Sequence, residues 1–135
     1  MKNILVTGGC GFIGTNFIIS QLENSSNCIM NIDKLTYSSN LKNLNKYKKN
    51  SRYSFLEGDI CEEKLFAKIL KSFRPNVLIN FAAETHVDRS IDSPKTFIDT
   101  NVVGTLNLLI NAHKYSLEEN KFKFVHVSTD EVFGS

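Results

Sequence analysis

At 135 residues the chain is long enough to build one domain around a real hydrophobic core. Its apolar fraction of 41% and its 16 basic against 14 acidic residues, net +2, fit a globular protein and argue against a nucleic-acid partner. Cys10, Cys28 and Cys61 are odd in number and contain no C-x-x-C pair, and neither a secretory leader nor an 18-residue apolar span is visible. The expectation is therefore a cytoplasmic protein with reduced thiols, no membrane association and no metal centre.

In chain order, the continuous apolar run Ile4-Leu5-Val6 predicts a strand buried on both faces. Ile13, Phe17, Ile18 and Leu22 recur at helical spacing, so a helix follows the glycines after that strand. Cys28 to Ile32 predicts a second strand. The basic stretch Lys42, Lys46, Lys48, Lys49 and Arg52 reads as a solvated face, with room for a short helix around Leu41 and Leu44.

Tyr53 to Leu56 supplies a third strand. Leu65, Phe66, Ile69, Leu70 and Phe73 mark an amphipathic helix that Arg74-Pro75 ends, because proline disfavours a helical residue before it. Val77 to Phe81 is a fourth strand. Ser93-Pro94 opens a helix reaching His113 and carrying Phe97, Val102, Leu106, Leu109 and Ile110. Phe122 to Val127 is a fifth strand. Strands alternating with helices imply an α/β fold, a Rossmann-type doubly wound parallel sheet of five strands in the order 3-2-1-4-5, in one domain over residues 1–135.

Directly after the first strand, Thr7-Gly8-Gly9-Cys10-Gly11-Phe12-Ile13-Gly14 places glycines at G-x-x-G-x-x-G spacing. Gly8 and Gly11 would let the chain turn and a pyrophosphate approach without a Cβ in the way. The helix opened by Phe12 and Ile13 would offer its unpaired N–H groups to that anion, and Gly14 would permit close packing. A tight βα turn uses the same glycines, so the pattern alone is weak. It is strengthened by Asp33, at the end of the second strand and 19 residues after Gly14, where a dinucleotide-binding fold places its ribose acid. A carboxylate there accepts from both ribose hydroxyls and repels a 2′-phosphate, which favours NAD as cofactor. Lys34 beside it is a cation that could instead greet a phosphate.

Other candidates lie after the remaining strands. Asp59, followed by Ile60, would hydrogen-bond an adenine amino group, although Asp59 with Glu62 is also a capping box. Ala82 and Ala83 are small enough for a cofactor to lie close. The polar run from Glu84 to Ser90, with Thr85 and His86, suits a sugar or phosphate, and Asn101 could bridge as an amide. At the chain's end, Ser128-Thr129-Asp130-Glu131 reads as a capping box by its Ser-x-x-Glu spacing. The cap is the first reading of these residues alone; the other is two acids delivered to a site, provided that the strand has already ended, since consecutive strand residues face opposite ways.

Taken together, TGGCGFIG (7–14), NIDKLTYSSNLKNL (31–44), EGDI (57–60), INFAAETHVDRSI (79–91), TNVVGT (100–105) and VSTDEVFG (127–134) resemble the extended short-chain dehydrogenase/reductase family. Within it they are most similar to the dTDP-glucose 4,6-dehydratase branch, whose pattern is Thr-Asp-Glu. The resemblance implies an NAD-dependent lyase of nucleotide-sugar metabolism: oxidation at carbon 4 of the glucose, loss of water across carbons 5 and 6, and reduction at carbon 6. It assigns Glu131 as general base at carbon 5, Asp130 as the acid protonating the departing hydroxyl, and Thr129 to the carbon 4 hydroxyl. It assigns Thr85 and His86 to the substrate side.

The family's Tyr-x-x-x-Lys pair is absent from the sequence: none of Tyr37, Tyr47, Tyr53 and Tyr115 has a lysine four residues on. The resemblance thus implies the N-terminal portion of a longer enzyme, without its C-terminal strands and substrate domain, and inactive alone. It also implies a homodimer in the full-length enzyme, with the helix from Ser93 as half of a helix pair. Another nucleotide-sugar epimerase or dehydratase, or a non-catalytic dinucleotide-binding module, are the alternatives.

Overall fold

The apolar run at Ile4–Val6 forms the centre of strand β1 (Asn3–Thr7), flanked by β2 (Cys28–Asp33) and β4 (Val77–Asn80). The computed structural model describes residues 1–85 and 93–134, and only the backbone of Asp130 and Glu131. With β3 (Tyr53–Glu57) and β5 (Lys123–His126) the sheet is all parallel and ordered β3-β2-β1-β4-β5, as expected. Thr7 pairs with Ile32 on one side and Asn80 on the other, so three strands end level at one edge of the sheet.

Strand alternation sorts the core into two layers. Leu5 and Leu78 face α2 (Glu63–Phe73) and α4 (Thr105–Glu118), packing with Phe66, Ile69, Leu70 and Leu108. Ile4 and Val6 face the other way, onto α1 (Phe12–Asn24) through Ile18 and Leu22. A 3₁₀ helix at Leu41–Tyr47, where a short helix was expected, adds Leu44 and Tyr47 to this second layer. Helices on both faces are what the continuous apolar runs of the strands require.

α2 ends at Arg74, which sits at φ 50° in the left-handed region and leads straight into Pro75. The helix expected from Ser93 differs in detail. It begins as α3 (Pro94–Phe97), widens into a π-helical segment at Ile98–Gly104, and continues as α4 to Glu118, five residues beyond His113. Gly104 closes the π segment against the turn after β3, where a Cβ would lie 2.5 Å from the Ile60 side chain. Sequence periodicity assumes 3.6 residues per turn and cannot register such an insertion.

The outer face of this helix, with Ile98, Val102, Leu106 and Leu109, is exposed, and β5 pairs only with β4. Among the described residues β5 is thus one edge of the sheet and β3 the other, as the order 3-2-1-4-5 implies.

Two glycines of the first βα turn are required by packing before any ligand is considered. Gly8 has φ 72°, and a Cβ on it would lie 2.5 Å from the backbone nitrogen of Ala82. A Cβ on Gly14 would lie 2.5 Å from the Gly8 carbonyl, so α1 can start where it does only without one. Gly8→Ala should cost about 1–2 kcal/mol from the left-handed backbone alone, and more from the clash. Phe66→Ala, which empties a fully buried position, should cost ~3–5 kcal/mol. Urea unfolding followed by far-UV circular dichroism measures both, and unchanged midpoints would refute the packing described.

Candidate functional site

The level ends of β1, β2 and β4 open a crevice, as a sheet does where its strand order reverses. Gly8, Gly11, Asp33, Lys34, Asp59, Ile60, Ala82 and Ala83 all line it, together with Ser39 and Thr100. Eight residues predicted from sequence as cofactor-binding thus converge. Gly11 is the N-cap of α1 and no side chain caps that helix end. The first-turn N–H groups of Phe12, Ile13 and Gly14 have no intrahelical acceptor and can bind an anion. A Cβ on Gly11 would meet only the Gly8 carbonyl, at 3.5 Å, so the loop's outer surface is open. The side chains of Phe12 and Ile13 are 85% and 60% exposed. Any contribution they make to an anion site therefore comes from backbone N–H groups.

Asp33 is the organising group of the crevice and is only 6% exposed. Its Oδ2 accepts from the Cys10 N–H at 2.9 Å, and its Oδ1 accepts from the Leu35 N–H and the Ser39 hydroxyl, both at 2.8 Å. A carboxylate has about four acceptor positions. With three of them filled, one on Oδ2 remains for an incoming hydroxyl, and a second would require Ser39 to turn away. The carboxylate thus has room for one further donor directly and for a second only on exchange with Ser39. The Asn40 N–H donates to the Cys10 carbonyl at 2.8 Å, closing the loop after β2 onto the phosphate loop. Burial, reinforced by the neighbouring Asp33, pushes the Cys10 thiol up to about 11 against a lowering hydrogen bond from Asn31. It stays a thiol at neutral pH and is not a nucleophile.

In the turn after β3, Asp59 Oδ1 accepts from the Cys61 N–H at 3.0 Å, and Glu62 Oε1 accepts from the Asp59 N–H at 3.0 Å. Of the box expected between Asp59 and Glu62 only the Glu62 half forms, since the Glu62 N–H donates to the Asp59 carbonyl, and these bonds close the turn before α2, which starts at Glu63. The second Asp59 oxygen lies 3.4 Å from Lys34 Nζ. Partial burial raises the Asp59 carboxyl, yet the Cys61 N–H and the Lys34 ammonium outweigh it and hold the group below its usual range. Ile60 is buried, and its carbonyl accepts from Asn107 of α4.

The wall formed by Ala82 and Ala83 depends on a residue that sequence reading passed over. Asn80, fully buried at the end of β4, accepts from the Thr7 hydroxyl at 2.6 Å and from the Ala82 N–H at 3.1 Å. Its amide nitrogen lies 3.1 Å from His126 Nδ1, so it links β1, β4 and β5. The signal was present as one amide inside an apolar run, Val-Leu-Ile-Asn-Phe. Asn101 is exposed, and it also bridges as its amide could: it accepts from the Glu84 N–H at 2.8 Å and donates to the Glu84 carbonyl at 2.9 Å. That pairing joins the π segment to the chain entering Thr85, which is exposed. His86 lies outside the described residues.

β5 ends at His126, and residues Asp130–Phe133 form a 3₁₀ turn. The strand has ended before the two acids, which was the condition for both to serve one site. Because the sheet is parallel, Thr129 and that turn leave from the same edge as the phosphate loop, beyond β4. Among the described residues, no group of three or more His, Cys, Asp or Glu side chains could hold a metal ion. No described helix is long and apolar enough to cross a membrane.

A family model described as GDP-mannose 4,6 dehydratase matches residues 5–135. The chain is 45% identical over 139 residues to the dTDP-glucose 4,6-dehydratase of Neisseria meningitidis, covering 99% of this chain and 39% of that protein. It is 47% identical over 136 residues to one from Escherichia coli, covering 97% of this chain and 38% of that protein. A crystal structure of dTDP-glucose 4,6-dehydratase from Bacillus anthracis in complex with NAD matches with a TM-score of 0.85 at 42% identity, over 100% of this chain and 40% of that one. The chain thus spans about 40% of the length of these relatives, in their N-terminal part. The doubly wound sheet and the resemblance read from the six motifs agree with these matches. With nearly every residue matched by the family model, the chain belongs to the GDP-mannose 4,6 dehydratase family.

Proposed function

We propose that residues 1–135 form the NAD-binding Rossmann domain of a dTDP-glucose 4,6-dehydratase, a longer cytoplasmic enzyme that converts its nucleotide-sugar substrate to a 4-keto-6-deoxy sugar. One observation carries this reading: the Asp33 carboxylate is wired through Cys10 to an uncapped helix N-terminus across a single crevice. That pairing of an anion site with a hydroxyl acceptor suits a dinucleotide. The pyrophosphate would sit on the N–H groups of Phe12, Ile13 and Gly14 beside Gly8 and Gly11, and the adenosine ribose on Asp33. The adenine would lie toward Asp59 and Ile60, with the small Ala82 and Ala83 leaving room for the chain to continue. Bound there, NAD would supply a reversible hydride acceptor.

The chain's own residues would do the proton work. Glu131 would take the proton from carbon 5, and Asp130 would give one to the hydroxyl leaving carbon 6. Thr129 would hydrogen-bond the carbon 4 hydroxyl, while Thr85 and His86 line the substrate side. Two neighbouring carboxyl groups suit these opposite tasks because proximity pushes their pKa values apart, leaving one protonated and one ionised. The 3₁₀ turn at Asp130–Phe133 supports the assignment, since it takes both acids off the strand. The exposed apolar face from Ile98 to Leu109 supports a homodimer of the full-length enzyme. No nucleic acid or membrane enters this reading.

NAD should bind more tightly than NADP, and Asp33→Ala should weaken NAD about 10- to 100-fold, the value of a charge-assisted hydrogen bond. Equal binding of the two dinucleotides in a calorimetric titration would remove Asp33 from its role. In the full-length enzyme, Glu131→Gln should lower kcat by about 10²–10⁴ with little change in substrate binding, read by following the 4-keto product. Formation of a 4-epimer would replace the dehydratase reading with an epimerase. The 135-residue chain alone, which contains no Tyr-x-x-x-Lys pair, should turn over no dTDP-glucose.

A further inference from the structure

A lysine directly after a ribose-selecting acid sets up an electrostatic conflict, because Asp33 would repel a 2′-phosphate and Lys34 would attract one. The surroundings of Lys34 resolve it. Its Nζ donates to the Thr100 hydroxyl on the π segment at 3.1 Å and lies 3.4 Å from Asp59 Oδ2 on the turn after β3. Neither partner is loose. Thr100 is 4% exposed, and Asp59 is fixed at both ends, its Oδ1 by the Cys61 N–H and its own N–H by Glu62. Lys34 therefore joins three elements and forms the wall between the crevice and a second cavity lined by Asp59, Thr96, Asp99 and Thr100. An ammonium whose charge is met by a carboxylate within 4 Å presents a much weaker field to a second anion.

We propose that Asp59 and Thr100 form a specificity lock: they hold Lys34 away from the ribose, so that Asp33 alone sets the preference for a dinucleotide lacking the 2′-phosphate. Lys34 is a specificity-determining residue by being withheld. The proposal rests on the reading of the crevice as an NAD site. It separates two roles for neighbouring charges, since Asp33 excludes the phosphate directly and Asp59 excludes it by occupying its rescuer.

The test is calorimetric titration of the purified protein with NAD and with NADP, read as the ratio of the two affinities. Both dinucleotides carry the same adenine, so any weakening of adenine binding through Asp59 cancels in that ratio. In an Asp33→Ser background, adding Asp59→Asn should shift the ratio about tenfold toward NADP, the size of one charge-assisted hydrogen bond. Thr100→Val should shift it less and in the same direction. Adding Lys34→Met to the Asp33→Ser, Asp59→Asn pair should return the ratio to that of Asp33→Ser. A ratio unmoved by Asp59→Asn, or a shift that survives Lys34→Met, overturns the lock while leaving the crevice reading intact. Failure of the unmodified protein to bind either dinucleotide overturns the crevice reading and the lock together.

Discussion

A single buried carboxylate holds the crevice in shape. Asp33 sits where β2 ends and accepts three hydrogen bonds, one from the glycine loop after β1 and two from the segment that follows it in sequence. A buried charge with fewer donors would be costly, because each unfilled position loses water without replacement. Filling the positions chiefly with backbone N–H groups removes that cost and uses the charge to fix two loops at once. The geometry follows: Cys10 is anchored by its N–H to Asp33 and by its carbonyl to Asn40, and Gly11 is thereby presented, uncapped, at the start of α1. The uncapped start of α1 and the Asp33 carboxylate share one support, and a displacement of either is transmitted to the other.

The same logic of saturation extends to the turn after β3. Lys34, Asp59 and Thr100 satisfy one another, and Asp59 is further held by Cys61 and Glu62. The exposed pair Lys46–Glu23 adds little by comparison, since solvent screens it and neither partner lines the crevice. What distinguishes the crevice charges is that each is oriented by backbone or by a buried hydroxyl. Orientation, more than the number of charges, determines which one a ligand meets.

Much of this was legible in sequence because it rests on local rules. The apolar runs at Ile4–Val6 and Val77–Phe81 predicted buried parallel strands, and the 19-residue interval from Gly14 to Asp33 predicted that acid at a strand end. Gly8 and Gly14 were read as serving a ligand and close packing, and their immediate necessity is backbone approach to Ala82 and to Gly8 itself. What stayed hidden depends on pairs far apart in the chain. Asn80 acquires its role only when β1 and β5 lie on either side of it, and the partners of Lys34 are 25 and 66 residues away. The π segment was invisible for a different reason, since one inserted residue per turn leaves the apolar count unchanged and alters only its phase.

The distribution of exposed apolar surface separates the two halves of the proposed chemistry. Around β1 and β2 both layers are closed, with Leu5, Val6, Ile18, Ile32 and Phe66 at 0–1% exposure. On the opposite flank Val125 and Val127 of the β5 region, the Ile98–Leu109 helix face and Phe133 are open to solvent. The part of the crevice around Asp33 is thus built on the close-packed part of the fold, where side chains have little freedom to shift. The 3₁₀ turn bearing Asp130 and Glu131 springs from the thin flank, tied to the rest of the sheet by β4 and by the Asn80–His126 contact. On the proposed reading, dinucleotide recognition rests on residues 1–85 together with Thr100, whereas the acid pair is placed by the β5 flank. On that reading, an acid and a base that face one substrate need a covered flank before their geometry is defined.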